Sequence, residues 1–333
     1  MDKHYFAAAN TKDGFVSKFR EIIRPEEAER IIYIKGGSGT GKSTFMKKLA
    51  RKIKDESGSV EYCHCSSDPA SLDGIYDIAR NIAVLDATAP HTMDPVYPGA
   101  VDMIINFGTY WNEKVLKDKK NEIIALTKEK KNYFDRGYAC LKAAGILYGD
   151  DNPDTDLANI VAEDIILTYC INIPLPSQGR ARYLFASGIS SEGVTDYLDT
   201  LMEETVVGIS DSAESPIILK KIVDAAIEAG HKVDVYLCPF TPDKIEHISI
   251  PLLDLSFTTL NKYHSYPELY SLYEFDKVQR NSEASFLIDK ATEEFKKAST
   301  THKEIEAIYI PTMDFESLDV ELKRIWGLIK SSD

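Results

Sequence analysis

The chain has 333 residues, of which 44% are hydrophobic and 28% charged, which is typical of globular proteins and sufficient for one large or two ordinary domains. Its formal net charge of −14 disfavours non-specific binding to nucleic acid or to anionic membranes. The five cysteines are scattered, no signal-peptide layout is present and no apolar run reaches the length of a membrane span, so we expect a cytoplasmic protein with reduced thiols.

The N-terminal segment predicts a strand, a turn and a helix. Tyr5–Ala9 is mainly apolar and predicts a strand, and Asn10–Gly14 has the residues of a turn. Apolar residues then recur at helical spacing over Phe15–Ile23, which predicts a helix. This segment precedes the strand that leads to the phosphate-binding motif described next. Asn10 and Thr11 are therefore expected either near a bound nucleotide or on a plain surface turn.

Residues 30–51 contain the most specific pattern in the chain. The β-branched run Ile31–Ile34 predicts a buried parallel strand, and apolar residues at helical spacing from Phe45 to Ile53 predict an amphipathic helix. The segment between them fits G-x-x-x-x-G-K-[ST], the phosphate-binding loop or P-loop. Its residues are Gly36, Gly37, Ser38, Gly39, Thr40, Gly41, Lys42 and Ser43, followed by Thr44.

These residue types suit a triphosphate and a metal ion. Glycines allow backbone N–H groups to turn towards phosphate oxygens, and the N-terminus of the following helix adds donors and a partial positive charge. Lys42 would contact the β- and γ-phosphates, and the Ser43 hydroxyl would bind Mg²⁺. We therefore predict a nucleoside triphosphate site. ATP is favoured over GTP, because the segment 261–264, Asn-Lys-Tyr-His, lacks the final Asp of a guanine-binding motif.

Candidate ligand groups follow the next predicted strand, Val60–Cys65. Its last three residues, Cys63-His64-Cys65, place both sulfur atoms on one face, and no second Cys/His cluster completes four ligands, so packing is favoured over metal binding. Asp68 lies just beyond the carboxyl end of the strand, where doubly wound sheets hold their ligands. Asp68 is therefore a candidate general base or substrate ligand, with a helix cap as the alternative, and Asp73 lies close by.

A carboxylate at the end of another predicted strand is expected to help bind the metal ion. Ile82–Asp86 predicts a buried strand that ends in an Asp, as a Walker B strand does. Asp86 would organise Mg²⁺, directly or through water, on the side opposite Ser43. The Pro-rich loop that follows carries His91 and Asp94, which could orient water or bind a substrate.

Long helical regions follow in both parts of the chain. Trp111–Leu147 is charged on one side and apolar on the other, and Glu268–Thr301 with Leu318–Ile329 predicts a comparable helical part. Each is expected to be an appendage, suited to be a lid or a contact between units. Arg136 is a candidate lid arginine, whereas the lysines of residues 114–131 form either a partner-binding stripe or a solvated face.

The chain also repeats itself. Lys3–Phe15 aligns without a gap with Arg182–Val194, and further segments align in the same order. One of these matches places Leu85-Asp86 over Leu253-Asp254. An ordered series of matches predicts two copies of one α/β unit, a parallel sheet flanked by helices with a helical appendage.

We predict that the two units span residues 1–178 and 179–333. The second has lost the phosphate chemistry, because its segment Asp211–Pro216 has no glycine, lysine or Ser/Thr at the needed places. Its acidic residues would repel a phosphate and its proline removes an N–H donor. The sequence therefore predicts one active site and one degenerate site.

These segments together resemble a known family. The resemblance rests on HYFAAANTKDGF, KGGSGTGKST, HCSSDPASLDG, LDATAPHTMDPVYPGA and IEAIYIPTMDF. They are similar to those of a family of bacterial tandem P-loop ATP-binding proteins, usually labelled ATP-binding protein or presumed nucleotide kinase. The resemblance covers nearly the whole chain and implies a tandem P-loop fold and nucleotide binding, but no acceptor. In that family the second unit can retain a P-loop, so the altered second loop departs from the pattern.

Three functions fit these observations, all with ATP and Mg²⁺ as ligands. The first is an ATPase that acts as a switch. In it Lys42 binds the phosphates, Asp86 organises the metal, and Asp68 or His91 positions the water. The second is a small-molecule or nucleotide kinase, in which Asp68 and Asp73 grip or deprotonate the acceptor hydroxyl. The third is an ATP-dependent binding module without catalysis. We expect an unknown acceptor, a protein partner or a homodimer, and neither membrane nor nucleic acid.

Overall fold

The computed structural model describes residues 2–148, 152–275 and 282–331 of the chain. These residues form two six-stranded sheets with helices packed on their faces, which confirms the prediction of an α/β fold. In each sheet three neighbouring pairs of strands are parallel and two are antiparallel. The sheets are therefore mixed, although the sequence predicted parallel ones.

The first half of the chain supplies eight strands and four helices among the described residues. In chain order they are β1 (Lys3–Phe6), β2 (Ala8–Thr11), β3 (Gly14–Ser17), β4 (Arg30–Lys35), α1 (Lys42–Ser57), β5 (Val60–His64), β6 (Leu72–Asp77), β7 (Ile82–Asp86), β8 (Asp102–Asn106), α2 (Glu113–Asp118), α3 (Lys120–Tyr148) and α4 (Thr155–Thr168). Strands β2 and β3 form a separate hairpin.

The second half supplies eight strands and three helices among the described residues. They are β9 (Arg180–Leu184), β10 (Ser187–Ser190), β11 (Gly193–Asp196), β12 (Thr205–Ser210), α5 (Ser215–Glu228), β13 (Lys232–Leu237), β14 (Ile245–Ile250), β15 (Leu255–Leu260), β16 (Ser271–Tyr273), α6 (Ser282–Tyr309) and α7 (Phe315–Lys330). Strands β10 and β11 form the second hairpin.

The two sheets have the same order of strands. The first runs β1-β5-β6-β7-β4-β8 and the second runs β9-β13-β14-β15-β12-β16. Their registers also correspond, since Ile34 of β4 pairs with Asp86 of β7 and Ile209 of β12 pairs with Thr259 of β15. Each sheet thus presents the carboxyl ends of its two central parallel strands side by side.

An antiparallel strand with a β-bulge lies beside these central strands in each sheet. In the first sheet Cys63 pairs with Gly74 while His64 pairs with Leu72, so Asp73 is an extra residue between two pairs. In the second sheet Glu246 is the corresponding extra residue of β14, between Ile245 and His247. Bulges change the direction of the side chains they carry, so both acidic residues leave the regular alternation of the strand.

Helices cross from each half of the chain to the sheet of the other half. The buried side of α4 packs into the core of the second sheet, and the buried side of α7 packs with α1 in the core of the first. The long helices α3 and α6 run antiparallel against each other, with the rings of Phe134 and Phe295 5.6 Å apart. The edges of the two sheets meet where the backbones of Phe6 and Phe185 exchange two hydrogen bonds of 2.9 Å.

A buried charge network joins the two halves beside this contact. The Arg182 guanidinium donates to both oxygens of Glu61, at 2.8 and 3.1 Å, and to both oxygens of Asp234, at 2.8 and 3.0 Å. Glu61 also accepts a 3.0 Å hydrogen bond from the Tyr5 hydroxyl. Glu61 is on the first sheet and Asp234 on the second, so one arginine neutralises a carboxylate from each.

Two predicted segments differ from the structure. The helix expected over Phe15–Ile23 is wrong: β3 pairs with β2, and only Phe19–Glu21 forms a short 3₁₀ turn. Helical spacing was misleading here because Phe19 and Ile22 are buried by tertiary packing against the first sheet. The helix expected over Glu268–Thr301 is wrong over residues 268–275, which contain strand β16, and is found over the described residues from Ser282 onwards; residues 276–281 lie outside the described part of the chain.

Within the described ranges, no helix is both long enough and apolar enough to cross a membrane.

Candidate active site

The glycine-rich loop of residues 36–41 connects β4 to α1. Gly39 and Gly41 have φ angles of +70° and +86°, a left-handed conformation that favours glycine. Gly41 is the N-cap residue of α1 and has no side chain to cap the helix, so the first N–H groups of α1 lie at the loop. This is the strand–loop–helix arrangement that the motif requires.

The Lys42 side chain folds back along the loop. Its Nζ atom donates hydrogen bonds to the carbonyl oxygens of Gly36 and Gly37, at 2.7 and 2.8 Å. The same atom lies 3.4 Å from Oδ2 of Asp86, and both side chains are largely buried. The loop lysine and the carboxylate at the end of the neighbouring strand are therefore in direct contact.

Further hydrogen bonds hold Asp86 in place. The Thr88 amide donates to Oδ1 of Asp86 at 2.9 Å, and the Thr88 hydroxyl donates to the Gly36 carbonyl at 2.8 Å. Burial opposes ionisation of Asp86, but His91, Lys42 and the Thr88 amide together hold the pKa of its carboxyl below the ordinary value. Asp86 is therefore a carboxylate at neutral pH.

Asp73 and His91 complete a cluster with Asp86. The Nε2 atom of His91 lies 3.9 Å from Asp73 Oδ1 and 3.8 Å from Asp86 Oδ2, and all three residues are buried. Burial and the charge of Asp86 raise the pKa of Asp73 to about 6, against the effect of His91. Burial disfavours the charged imidazole, but both carboxylates raise the pKa of His91. The three groups are close enough to hold a metal ion.

Aromatic packing holds the His91 ring of the cluster in place. The His91 ring stacks on Phe19, with centroids 4.7 Å apart. Among the described residues, the Nδ1 atom of His91 has no hydrogen-bond partner.

Of the two predicted metal ligands, Asp86 belongs to the cluster, and Ser43 Oγ accepts a 3.0 Å hydrogen bond from the Leu72 amide at the start of β6. Thr44, the next residue of α1, is exposed.

Asp68 is tied to its own turn. Its Oδ2 atom accepts a 2.6 Å hydrogen bond from the Ser71 hydroxyl, and its carbonyl accepts from the Ser71 amide at 2.8 Å. These bonds close a turn that leads into β6, so the helix-cap alternative is wrong, and a catalytic role for Asp68 stays a prediction. Asn10 is fully buried, and its amide group donates to the carbonyls of Ser66 and Ile189. Asn10 therefore joins the two halves rather than forming a surface turn.

Residues from α3 and α6 cover the glycine-rich loop. His302 Nδ1 lies 3.4 Å from Ser38 Oγ and 3.3 Å from Lys130 Nζ. His302, with the Gly39 amide and Lys42, lowers the pKa of Glu306 although burial opposes this. An anionic side chain of α6 therefore lies beside the loop.

Two basic residues of α3, Lys130 and Arg136, lie in different surroundings. Burial, with a contribution from Lys42, lowers the pKa of Lys130. Arg136, the expected lid arginine, instead pairs with Glu294 at 2.6 Å and keeps about half of its side chain exposed. Lys130, which the sequence assigned to a solvated or partner-binding stripe, is therefore the basic side chain of α3 that reaches the loop region.

The corresponding end of the second sheet carries different residues. The sheet registers place Thr259 where the first sheet has Asp86, and His264 follows Thr259 at the spacing at which His91 follows Asp86. The alignment of Asp86 with Asp254 is therefore wrong. Asp254 precedes β15 in a turn with φ of 50°, and its Oδ1 atom accepts from the Glu204 amide. Short motifs in loops of unequal length allowed the alignment to slip.

The sequence made Asp73 a candidate acceptor ligand, but it did not predict the contact of Asp73 with His91 and Asp86, nor the presence of Lys130 and Glu306 at the loop. Asp73 reaches the cluster through the bulge of an antiparallel strand, and Lys130 and Glu306 arrive on helices far apart in the chain. A partial signal was the proximity of Asp73 to Asp68 in the sequence.

Comparisons of this chain with protein-family models, with curated proteins and with solved structures give no match.

Proposed function

We propose that this protein is a P-loop NTPase that binds Mg-ATP and hydrolyses it as a switch. The observation that carries the proposal is the contact between Lys42, at the start of α1 behind the glycine-rich loop, and Asp86, at the end of the adjacent parallel strand. A loop lysine and a neighbouring strand-end carboxylate are the two parts that bind phosphate and organise the metal in P-loop enzymes.

The residues present fit Mg-ATP. The amides of residues 36–43 and the N-terminus of α1 would hold the phosphates, with Lys42 at the β- and γ-phosphates. Ser43 and Asp86 would hold Mg²⁺, which supplies charge neutralisation at the transferred phosphate when bound. His91, fixed between Asp86 and Asp73, would orient the attacking water through its Nε2 atom.

The two-halved architecture supports a switch rather than a simple hydrolase. The shared strand order, the paired bulges and the reciprocal packing of α4 and α7 support duplication of one unit, of which only the first keeps the phosphate loop. His302 and Glu306 of the second half lie on the loop of the first. A phosphate chain at the loop would meet the negative charge of Glu306, which lies close to Gly39. Nucleotide binding would therefore change the contact between α6 and the loop.

A kinase is the second candidate, and Asp73 favours it. This buried carboxylate lies beside Asp86, and burial raises its pKa to about 6, so it could accept the proton of an acceptor hydroxyl near neutral pH. Asp68, the other residue expected in this role, bonds to Ser71.

The deciding experiment follows the label of γ-labelled ATP incubated with the protein and Mg²⁺, with Lys42→Ala as the control. Release of labelled phosphate by the wild type, lost in Lys42→Ala, is the expected result. Label that stays on ATP until small molecules are added, and then moves to one of them, identifies a kinase. ATP binding without any transfer would leave only a binding module, and no binding would overturn the proposal.

A further inference from the structure

We propose that Glu246, His247 and His264 form a zinc site in the second half of the protein, independent of the site for ATP. Their ligand atoms converge on one point. The Nε2 atoms of the two histidines lie 3.2 Å apart, and Glu246 Oε2 lies 3.4 Å from His264 Nε2 and 3.6 Å from His247 Nε2.

These three distances match the edges of a tetrahedron around zinc. Bonds of about 2.0–2.2 Å from zinc to nitrogen or oxygen place neighbouring ligand atoms roughly 3.3–3.6 Å apart. A proton shared within the cluster is the alternative, but hydrogen bonds usually measure about 2.7–3.2 Å, and both separations from Glu246 are longer, at 3.4 and 3.6 Å. Three nearly equal separations therefore favour a cation at the centre.

The bulge of β14 explains how neighbouring residues reach the same point. Side chains of consecutive strand residues normally point to opposite faces. Glu246 is the extra residue of the bulge, since Ile245 and His247 pair with Leu237 and Tyr236. The bulge changes the direction of the Glu246 side chain, so its carboxylate meets the imidazole of His247.

Outer hydrogen bonds orient all three ligands. His264 Nδ1 donates to Asp196 Oδ1 at 2.8 Å, and His247 Nδ1 bonds to the Thr258 hydroxyl at 2.7 Å. Both arrangements direct the Nε2 atoms at the cluster, as carboxylate–histidine–zinc groups do. Glu246 Oε1 accepts from the Asn261 side chain at 2.7 Å, whereas its Oε2 atom has no hydrogen-bond partner among the described residues.

The ligands lie at a cavity that leaves room for a fourth group. Glu246 and His264 line a cavity of about 80 Å³ at the carboxyl end of the second sheet. The wall also carries the Thr259 hydroxyl, which is 5% exposed and has no hydrogen-bond partner within the described ranges. Three protein ligands with one open position are typical of zinc sites that bind water or a substrate oxygen. We expect water, or the oxygen of a small polar ligand, in that position.

The test is metal binding by the full-length chain. Protein stripped with a chelator is titrated with Zn²⁺ and then with Co²⁺, and bound metal is measured by mass spectrometry and by visible absorption. One tightly bound zinc per chain and the absorption of tetrahedral Co²⁺ are expected. Glu246→Gln, which keeps the side-chain shape, should weaken zinc binding roughly 100-fold or more, and Asp196→Asn should weaken it about 10–100-fold.

The matched control is His91→Ala, because Asp73, Asp86 and His91 form the other group that could hold a metal. This variant should bind zinc as the wild type does. Loss of the metal in His91→Ala but not in Glu246→Gln would overturn the proposal. Wild-type protein that binds no zinc would also overturn it and would favour a shared proton, whether or not the variants fold.

Discussion

The carboxyl ends of the two sheets differ in chemistry although their frameworks correspond. In the first sheet Lys42 supplies the positive charge beside the carboxylates of Asp73 and Asp86. In the second sheet the imidazoles of His247 and His264 take that place, each within 3.6 Å of Glu246, and His264 also lies 2.8 Å from Asp196. The framework thus fixes where polar side chains meet, while the residue types decide what they can bind.

The segments before the first helix of each half also differ. Where the first half has the glycine-rich loop, the second half has a Ser215 amide that donates to Ser212 Oγ and a Glu214 carboxylate that accepts from the Asp154 amide of the first half. A bulge and a histidine at the same spacing are nevertheless present in both sheets. The polar cluster at the end of a sheet therefore does not depend on a glycine-rich loop beside it.

The largest expected effect is on the free energy of unfolding, through the charge network that joins the two halves. Arg182→Ala removes the cation shared by Glu61, which is buried, and Asp234, which keeps Lys3 at 3.4 Å, and breaking a buried ion pair in this way costs about 3–5 kcal/mol. Denaturant unfolding should show this loss of free energy of unfolding. Arg324→Ala removes an arginine that pairs with Glu321 at the surface and should cost less than about 1 kcal/mol. Equal losses in the two variants would contradict the network's role.

The second prediction tests which residue of the second half corresponds to Asp86. The sheet register indicates Thr259, whereas the sequence alignment indicated Asp254. Asp86→Asn keeps the side-chain size but removes the charge beside Lys42, so ATP hydrolysis should fall roughly 10²–10³-fold. Asp254→Asn changes the residue that the alignment matched to Asp86, and its turn conformation suits Asn equally well. Steady-state hydrolysis by Asp254→Asn should equal that of the wild type. A comparable loss in Asp254→Asn would favour the alignment.

The third prediction concerns acid stability at the junction of the halves. His64 of the first half stacks on Tyr197 of the second, its Nδ1 donates to the Pro69 carbonyl at 2.7 Å, and its Nε2 lies 2.9 Å from His4 Nδ1. Burial lowers the pKa of His64 to about 4. The unfolded chain therefore binds the proton first as the pH falls from 6.5 towards 4. The stabilising effect of neutral His64 is complete above pH 6.5, and about 3 kcal/mol is lost by pH 4.

Unfolding by urea at several pH values measures this effect. His64→Gln should lower stability at pH 7 and reduce the acid-dependent loss. A wild-type protein whose stability does not change between pH 6.5 and 4 would contradict the burial of neutral His64.

The sequence predicted the parts of the site that lie close together in the chain. Strand β4, the loop, α1 and the strand ending at Asp86 follow local patterns of β-branched, glycine and apolar residues, so they were predictable. Asp73 and Glu246 were not, because a bulge depends on pairing with neighbouring strands. The cover by Glu306 depends on packing between α3 and α6, which no local pattern specifies.

The smallest expected effect tests whether the second half regulates the first. His302, the Gly39 amide and Lys42 lower the pKa of Glu306, so its carboxylate is charged where it would oppose a phosphate at the loop. Glu306→Gln should tighten ATP binding roughly threefold to tenfold, measured with a fluorescent ATP analogue, and added salt should reduce the difference. Glu304→Gln removes an exposed charge from the same helix and should change affinity much less. Weaker binding by Glu306→Gln would instead make this residue part of the nucleotide site, and the contact between the halves would then support binding rather than oppose it.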